Sequence, residues 1–232
     1  MNPQNARIVV VCEGETEEEF VRDVLIPGFY GTGLYLEPQM VETSPGHRGG
    51  ALNYDRVKSH LRNTLRQKSA PVVTTLFDLY KLDKRFPGFE KSQELPDLGQ
   101  RLQVLRHELH ADVVAAAQCR PERFIPYIQP YEFEALLFSD VTALSLVNPS
   151  WPTKSIDRLL QVRSAAASPE HINKQPETKP SAHLQRELSK PSYSKRRHGP
   201  VAAQKIGLSK IEAECAFFAA WLGQIRALAQ PS

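Results

Sequence analysis

The sequence predicts an open α/β fold, with a mostly parallel sheet flanked by helices and a helical C-terminal part. In the first half of the chain, short apolar and β-branched runs alternate with amphipathic helical patterns, which is typical of βαβ units. After Tyr131 the pattern is mostly helical and is interrupted by proline-rich stretches at 148–152 and 176–180. We therefore predict an α/β domain over residues 1–139 and a mainly helical extension over residues 140–232, packed on the same core.

Each predicted element rests on its own pattern of apolar residues. The predicted strands are Arg7–Cys12, Leu34–Glu42, Pro71–Phe77 and the short run Phe124–Gln129. The first of them is apolar almost throughout, as expected of a strand that is covered on both faces. The helices predicted between the strands are Thr16–Tyr30, Tyr54–Gln67 and Asp97–Gln118. Because helices separate the strands, we expect crossover connections and parallel pairing.

Composition restricts the class of protein. Hydrophobic residues make up 41% of the 232 residues and charged ones 24%, which is ordinary for a globular domain. The net charge of +3 does not by itself indicate a nucleic-acid partner, but the stretch SKPSYSKRRHGP near the C-terminus is distinctly basic. The three cysteines are scattered, which argues against a disulfide framework or a zinc cluster. No apolar run approaches the roughly 18 residues of a membrane span, so we expect a cytoplasmic protein with no membrane association.

Acidic side chains follow two of the predicted strands directly. Glu13 comes immediately after the first strand, and Asp78 immediately after the strand PVVTTLF. Functional groups of open α/β sheets gather at the carboxyl ends of strands, so these two acids should share one crevice. Glu17 can reach the same crevice if the helix leaves the first strand sharply at Gly14. Three carboxylates of this kind suit Mg²⁺ or Mn²⁺.

The remaining acids of the segment GETEEEF are better explained by helix formation. Acidic residues in a first helical turn interact favourably with the helix dipole and stay hydrated. Thr16 and Glu19 have the spacing of a capping box, which predicts Thr16 as the N-cap. Further along, the loop SPGHRGG lacks the lysine and hydroxyl of a P-loop, and we interpret Arg48 in this loop as a phosphate contact.

Several stretches together resemble a known family. The opening VVVCEGETEEEF is similar to the first motif of Toprim-type domains, including that of the overcoming-lysogenization-defect nucleases. The whole chain resembles more closely a bacterial Toprim-like family, domain-of-unknown-function family 4276. The matching stretches are TLFDLYKLDKRFPGF, RFIPYIQPYEFEALLFSD, HINKQPETKPSAHL, PSYSKRRHGPVAAQKIGL and CAFFAAWL. The Toprim connection implies a Rossmann-like sheet, a divalent metal and phosphoryl transfer on a nucleic-acid backbone.

The resemblance also implies roles for individual residues. Glu13 matches the acid of the first Toprim motif, Glu17 the second acid of the nuclease-like variant, and Asp78 the first aspartate of an Asp-x-Asp motif. Tyr80 stands where the second aspartate belongs. Asp83 is a candidate replacement, and one-metal hydrolysis or an inactive site stays open.

Two later stretches are candidates to complete the site. In YEFEALLF, Glu132 is preferred over Glu134 as a further metal ligand, on the assumption that a helix begins there. Near the C-terminus, the nuclease resemblance implies a lysine that steadies the transition state, and Lys195 is the preferred candidate. Basic residues that suit contacts to a phosphate backbone are Lys195, Arg196, Arg197, His198 and Lys205.

Three functions are consistent with these features. The first is a Mg²⁺-dependent nuclease acting on DNA or RNA, in the context of phage defence that the resemblance implies. The second is a non-catalytic nucleic-acid-binding or regulatory subunit of an ATPase complex, motivated by the incomplete aspartate pair. The third is phosphoryl transfer on a small nucleotide or phosphate ester. An ATPase partner protein and a homodimer are both left open by the sequence.

Overall fold

A parallel sheet forms the centre of the protein. The structure is a computed structural model, and it describes residues 6–44, 47–48, 53–80, 82–172 and 175–229. The strands are β1 (Ala6–Cys12), β2 (Leu34–Met40), β3 (Glu42–Ser44), β4 (His47–Arg48), β5 (Val72–Asp78), β6 (Phe124–Ile125) and β7 (Ile128–Gln129). Among the described residues, the main sheet has the order β2-β1-β5-β6, and β7 pairs with β5 beyond β6. All of these pairings are parallel, which confirms the predicted fold class and places the carboxyl ends of the strands at one edge.

Helices cover both faces of this sheet. They are α1 (Glu15–Phe20), α2 (Ile26–Gly28), α3 (Tyr54–Leu65), α4 (Phe89–Gln93), α5 (Leu98–Ala117), α6 (Leu144–Val147), α7 (Thr153–Ser164), α8 (Pro180–Glu187), α9 (Lys195–Ile206), α10 (Leu208–Glu214) and α11 (Ala216–Ala227). A π-helical turn, Val21–Leu25, joins α1 to α2, and a kinked 3₁₀ helix spans Phe133–Ala143. In the part of the chain that the structure describes, none of the helices has the length and apolar character needed to cross a membrane.

The alternating side chains of β1 serve two separate hydrophobic clusters. Ile8, Val10 and Cys12 pack with α1 and the C-terminal helices, whereas Val9 and Val11 pack with α3 and α5 on the opposite face. All five side chains are completely buried. Because successive strand residues point to opposite faces, a strand that is covered on both sides has to be apolar at every position.

The predicted strand Phe124–Gln129 is divided in the structure. β6 and β7 both pair with β5, but Pro126 and Tyr127 between them form no ladder pairing. Proline lacks a backbone N–H and cannot donate to the ladder. The hydroxyl of Thr75 replaces the missing contacts, since it accepts from the Tyr127 backbone N–H at 2.9 Å and donates to the Tyr127 carbonyl at 2.7 Å.

The last helix, α11, closes one face of the sheet. Phe218, Trp221 and Leu222 are buried, and Trp221 stacks on Tyr127 with ring centroids 4.4 Å apart. The indole Nε1 of Trp221 also donates a hydrogen bond to the Thr74 hydroxyl of β5 at 2.8 Å. The C-terminal helices therefore share their hydrophobic core with the strands of the N-terminal half.

A buried acid, Glu170, caps the N-terminus of α11. Its two carboxylate oxygens accept hydrogen bonds from the backbone N–H groups of Phe217 and Phe218, at 2.9 and 3.0 Å. These two N–H groups belong to the first helical turn and have no partner within the helix. Burial raises the pKa of Glu170 to about 7, although both hydrogen bonds act in the opposite direction.

This raised pKa predicts a pH-dependent contribution to stability. Between pH 4.5, the ordinary pKa of a glutamate, and about 7, the native state keeps a proton on Glu170 that the unfolded state releases. The contribution is therefore present below pH 4.5 and is lost as the pH rises to 7. We expect the wild type to lose on the order of 2–3 kcal/mol relative to Glu170→Gln over this window, because glutamine mimics the protonated acid.

Urea denaturation at several pH values measures this difference. The exposed variant Glu94→Gln is the control, and its unfolding free energy should follow the wild type at every pH. Parallel curves for the wild type and Glu170→Gln would contradict the assignment.

Candidate active site at the carboxyl ends of the strands

The first acid of the site, Glu13, lies where β1 ends. Its Oε2 accepts a hydrogen bond from the backbone N–H of Asp78, at a distance of 3.3 Å. Two acids that are 65 residues apart in the sequence are thus neighbours, because β1 and β5 are adjacent parallel strands. The contact that the sequence predicts between the two strand ends is present.

The helix after β1 begins two residues earlier than the predicted capping box would require. Gly14 is the N-cap with an extended backbone, and no side chain caps the helix. The prediction of Thr16 as N-cap is therefore wrong. Thr16 lies inside the first turn and is buried, and Glu17 is also buried, so the turn directs the Glu17 carboxylate inward rather than into solvent.

Asp78 is the last residue of β5 and is held on two sides. Its Oδ1 accepts a hydrogen bond from the backbone N–H of Phe133 at 2.8 Å. Its Oδ2 lies 3.2 Å from the Nζ of Lys195. The carboxylate is therefore fixed between the start of the 3₁₀ helix and the start of α9, and its side chain is only 8% exposed.

Lys195 brings the acids together. Its Nζ lies 3.0 Å from Glu17 Oε1, 3.2 Å from Asp78 Oδ2 and 3.6 Å from Glu134 Oε2. The carboxylates of Glu17 and Glu134 are 3% and 0% exposed, whereas the Lys195 side chain is 37% exposed. The lysine therefore covers the acids on the side that faces solvent. We refer to Glu13, Glu17, Asp78, Glu134 and Lys195 as the acidic cluster.

The acidic cluster contains more negative than positive charge, and its pKa values respond accordingly. Burial raises the pKa of Asp78 well above its usual value, and the neighbouring carboxylates add to the effect while Lys195 opposes it. Burial likewise raises the pKa of Glu134 to about 7. Burial alone would lower the pKa of Lys195, but Asp78, Glu134 and Glu17 more than compensate and raise it well above the usual value. Lys195 is therefore a cation, and three carboxylates share its single positive charge.

Glu132, which the sequence analysis prefers as an additional metal ligand, contacts residues outside the acidic cluster. Its Oε1 accepts from Lys179 Nζ at 2.8 Å, and its Oε2 accepts from the backbone N–H of Ser181 at 3.0 Å. The expected helix does not begin at Glu132, whose backbone is extended, but at Phe133. That shift turns Glu134 towards Lys195, so the preference for Glu132 over Glu134 is corrected: Glu134 is the acid that joins the cluster.

Asp83 does not replace the missing second aspartate. It accepts a hydrogen bond from the backbone N–H of Tyr54, the first residue of α3, at 3.0 Å. It also forms an ion pair with Arg85 at 2.7 Å, and hydrogen bonds from Arg85 lower its pKa to about 2. The contact with Tyr54 belongs to the N-terminus of α3, and neither contact belongs to the acidic cluster. At the position of the second aspartate, the Lys179 Nζ lies 4.3 Å from the centroid of the Tyr80 ring.

The predicted phosphate contacts are only partly available at the surface. Arg196, Arg197 and Lys205 are exposed, and Arg196 forms an ion pair with Glu15 at 2.8 Å. His198 is only 7% exposed, and its Nδ1 accepts a hydrogen bond from the Ser194 backbone N–H. The imidazole ring packs edge-on against Trp151. We therefore correct His198 from a phosphate contact to a packing residue.

Arg48, the predicted phosphate contact in the glycine-rich loop, cannot be placed in the site. Its backbone belongs to β4 in the small antiparallel ribbon with β3, and its side chain lies outside the described residues.

The donor atoms of the acidic cluster match a divalent cation in kind but not in their present arrangement. Both carboxylate oxygens of Glu134 are buried and accept no hydrogen bond from the described residues, and oxygen donors of this type suit Mg²⁺. However, within the described ranges no three His, Cys, Asp or Glu side chains are arranged to hold a metal ion. Lys195 stands among these carboxylates, so a metal would have to take over the charge that its ammonium now supplies.

Two members of the site could have been found only weakly from the sequence. Glu134 is visible as an acid in YEFEALLF, but only the backbone conformation decides whether it or Glu132 points inward. Tyr193 gives no signal beyond its place beside the basic stretch. Its ring is buried, and its hydroxyl has no hydrogen-bond partner among the described residues. Burial raises the pKa of Tyr193 well above its usual value, and the nearby Glu134 carboxylate raises it further.

Comparisons with known proteins bear on the family of the chain. A search of curated proteins gives no significant match. Among solved structures, the chain is similar to the C-terminal region of the OLD protein of Xanthomonas campestris pv. campestris, with a TM-score of 0.41 and 15% sequence identity. The match covers 97% of this chain and 96% of that one. The family of the domain of unknown function DUF4276 matches residues 12–226, and the chain therefore belongs to this family.

Proposed function

We propose that this protein hydrolyses phosphodiester bonds of nucleic acid with the help of a divalent metal ion. The observation that carries the proposal is the acidic cluster. Buried acids from α1, β5 and the 3₁₀ helix meet beside one lysine at the carboxyl edge of a parallel sheet, and the half-buried Glu13, which follows β1, contacts the Asp78 backbone. Burying several carboxylates together is costly unless a cation compensates them, and one ammonium does not balance the three buried carboxylates around it.

In the proposed reaction, Glu13, Glu17 and Asp78 would hold Mg²⁺ or Mn²⁺. The bound metal would supply Lewis-acid stabilisation and a water of lowered pKa. The backbone N–H of Phe133 keeps Asp78 oriented through its hydrogen bond at 2.8 Å. Glu13 is fixed in the same way by the Asp78 backbone N–H. These contacts preorganise the acids before a substrate arrives, which is how a site avoids reorganisation during the reaction.

Lys195 has the second role in this reaction. With the acids compensated by a metal, the ammonium of Lys195 would be able to turn to the scissile phosphate, since its side chain is partly exposed. It then stabilises the charge that develops on the phosphate oxygens. Arg196 and Arg197 follow on the exposed start of α9 and dock the neighbouring phosphates. The resemblance to defence nucleases adds phage defence, alongside an ATPase, as the proposed biological setting.

Metal removal is the direct test of this function. The purified protein should cleave single- or double-stranded DNA, or RNA, in Mg²⁺ or Mn²⁺, and EDTA should abolish the cleavage. Adding Mn²⁺ in excess should restore it, because the metal is expected to bind reversibly to carboxylates. Separation of radiolabelled products on a gel measures the rate. Equal cleavage with and without EDTA, after the contribution of a mock preparation is subtracted, would contradict the proposal.

A second candidate function is a non-catalytic, nucleic-acid-binding or regulatory subunit. It is favoured by the presence of Tyr80 where the motif has its second aspartate, and by Lys195 among the acids, which resembles a permanently compensated site. Titration with Mn²⁺ separates the two functions. Absence of binding at millimolar metal, together with normal association with nucleic acid, would favour the regulatory subunit.

A further inference from the structure

A pocket is lined in part by Tyr80, which follows Asp78 of the proposed active site by two residues. Its volume is about 340 Å³, which lies at the lower end of the range of roughly 300–1,000 Å³ for pockets that bind small ligands. The lining residues that matter here are Tyr80, Lys84, Phe89, Gln93, Arg101 and Tyr131. Three aromatic rings and two cations therefore surround one cavity, which is not part of the acidic cluster.

Arg101 is the unusual member of this pocket. The residue is only 8% exposed, yet no carboxylate of the described residues forms an ion pair with it. Its Nη2 donates to Gln93 Oε1 at 3.1 Å, and its buried Nε has no hydrogen-bond partner in the described part of the chain. A buried guanidinium without a counter-charge is costly. An anion with acceptor atoms would satisfy both the charge and the unpaired N–H.

The aromatic residues fix the other requirement of the ligand. Tyr80 is held in place by its backbone N–H, which donates to the Tyr131 carbonyl at 2.7 Å, and by Lys179, whose Nζ lies over its ring. Tyr80, Phe89 and Tyr131 are all partly exposed. Rings on a rigid support favour a planar ligand that can stack, as nucleobases do on aromatic side chains.

We propose that this pocket binds one nucleotide unit, with its base against the aromatic rings and its phosphate at Arg101, assisted by the exposed Lys84 at the rim. Tyr80 is two residues from Asp78, so the nucleotide would lie next to the phosphate that is cleaved. This inference deepens the proposed function and rests on it where the nucleotide belongs to a substrate strand. A free mononucleotide satisfies the same chemistry.

Binding measurements without metal test the pocket independently of catalysis. Isothermal titration calorimetry in EDTA should show that adenosine 5′-monophosphate binds the wild type, and that adenosine or inorganic phosphate alone binds about tenfold more weakly or worse. Arg101→Met should weaken the binding of the mononucleotide by about tenfold or more. Tyr80→Leu should have an effect of similar size through lost stacking. Arg62→Met, a change on α3 outside the pocket, is the matched control and should bind like the wild type.

Thermal unfolding separates lost binding from lost folding. Because no described carboxylate forms an ion pair with the buried Arg101, Arg101→Met should unfold at the same temperature as the wild type or higher. A retained fold with weakened binding supports the pocket. The inference would be overturned if the wild type binds neither the mononucleotide nor a short oligonucleotide, or if Arg101→Met binds both as tightly as the wild type does.

The two proposals fail in different ways. Binding of the mononucleotide without any nuclease activity would leave the pocket standing and remove the nuclease. Metal-dependent cleavage with identical kinetics in the wild type and Arg101→Met, without mononucleotide binding, would support the nuclease and remove the pocket. If Arg101→Met weakens the binding of an oligonucleotide but not of the mononucleotide, the occupant of the pocket is a unit of a strand. If it weakens only the mononucleotide, the occupant is the free nucleotide.

Discussion

Replacing Asp78 with asparagine should lower metal-dependent cleavage by about 10³-fold, because the metal site would lose a charged ligand worth several kcal/mol in the transition state. The fold should persist. The amide oxygen of asparagine can still accept the Phe133 N–H that Asp78 now accepts at 2.8 Å. Burial already disfavours the charged form of Asp78 and raises its pKa, so a neutral side chain of the same shape is tolerated. Initial cleavage rates and thermal unfolding of the same preparation measure both effects.

Asp83→Asn is the matched control for this experiment. Asp83 also follows β5 and is also an aspartate with backbone and arginine contacts, but its partners are Tyr54 and Arg85. We expect cleavage close to that of the wild type, with a modest loss of stability because the native state lowers its pKa. Retained cleavage in Asp78→Asn, or an equal loss in Asp83→Asn, would contradict the assigned metal site.

Replacing Lys195 with methionine should have two effects of opposite sign. Cleavage should fall by about 10²–10³-fold, the usual loss when one group that stabilises the transition-state charge is removed. Binding of Mn²⁺ should become about tenfold tighter, because a cation within 3.0–3.6 Å of three carboxylates competes with a metal for the same charge. Calorimetric titration with Mn²⁺ and cleavage assays on one preparation measure both quantities. A residue that merely supported the fold would not strengthen metal binding.

Arg196→Met provides the comparison for Lys195→Met. Arg196 is the next residue of α9, is exposed, and pairs with Glu15 rather than with the buried acids. Its replacement should leave the affinity for Mn²⁺ unchanged and reduce cleavage only through weaker docking of nucleic acid, with an effect that salt diminishes. If Lys195→Met behaves like Arg196→Met in both assays, Lys195 does not compete with the metal and the proposed role is wrong.

The strands that form the centre of the sheet were predictable because their signal is local. In β1, every residue from Ile8 to Cys12 is fully buried, and a continuous apolar run reports that environment directly. Where tertiary contacts replace ladder pairing, the local signal fails. The run from Phe124 to Gln129 was predicted as one strand, but Pro126 interrupts it and the hydroxyl of Thr75, 52 residues away from Tyr127, completes the hydrogen bonding.

The candidate site divides in the same manner. Glu13 and Asp78 were predictable as neighbours because parallel strands end at one edge of a sheet. The choice between Glu132 and Glu134 was not, because it depends on whether the helix starts at one residue or the next. Placing Glu132 in an extended conformation directs its carboxylate to Lys179 and turns Glu134 to Lys195. Adjacent registers have nearly equal local preferences, so packing decides between them.

By itself, the sequence determined the alternation of strands and helices, the acids at the strand ends and the family of the chain. The tertiary structure decided which charges meet. It brings Lys195 to Asp78 across 117 residues, places Asp83 at the N-terminus of α3, and gives Arg101 no ion pair with any carboxylate that the structure describes. The physical reason is one of range. Periodicity and capping are fixed by residues within a few positions of one another, whereas the compensation of a buried charge depends on how the C-terminal helices pack against the sheet.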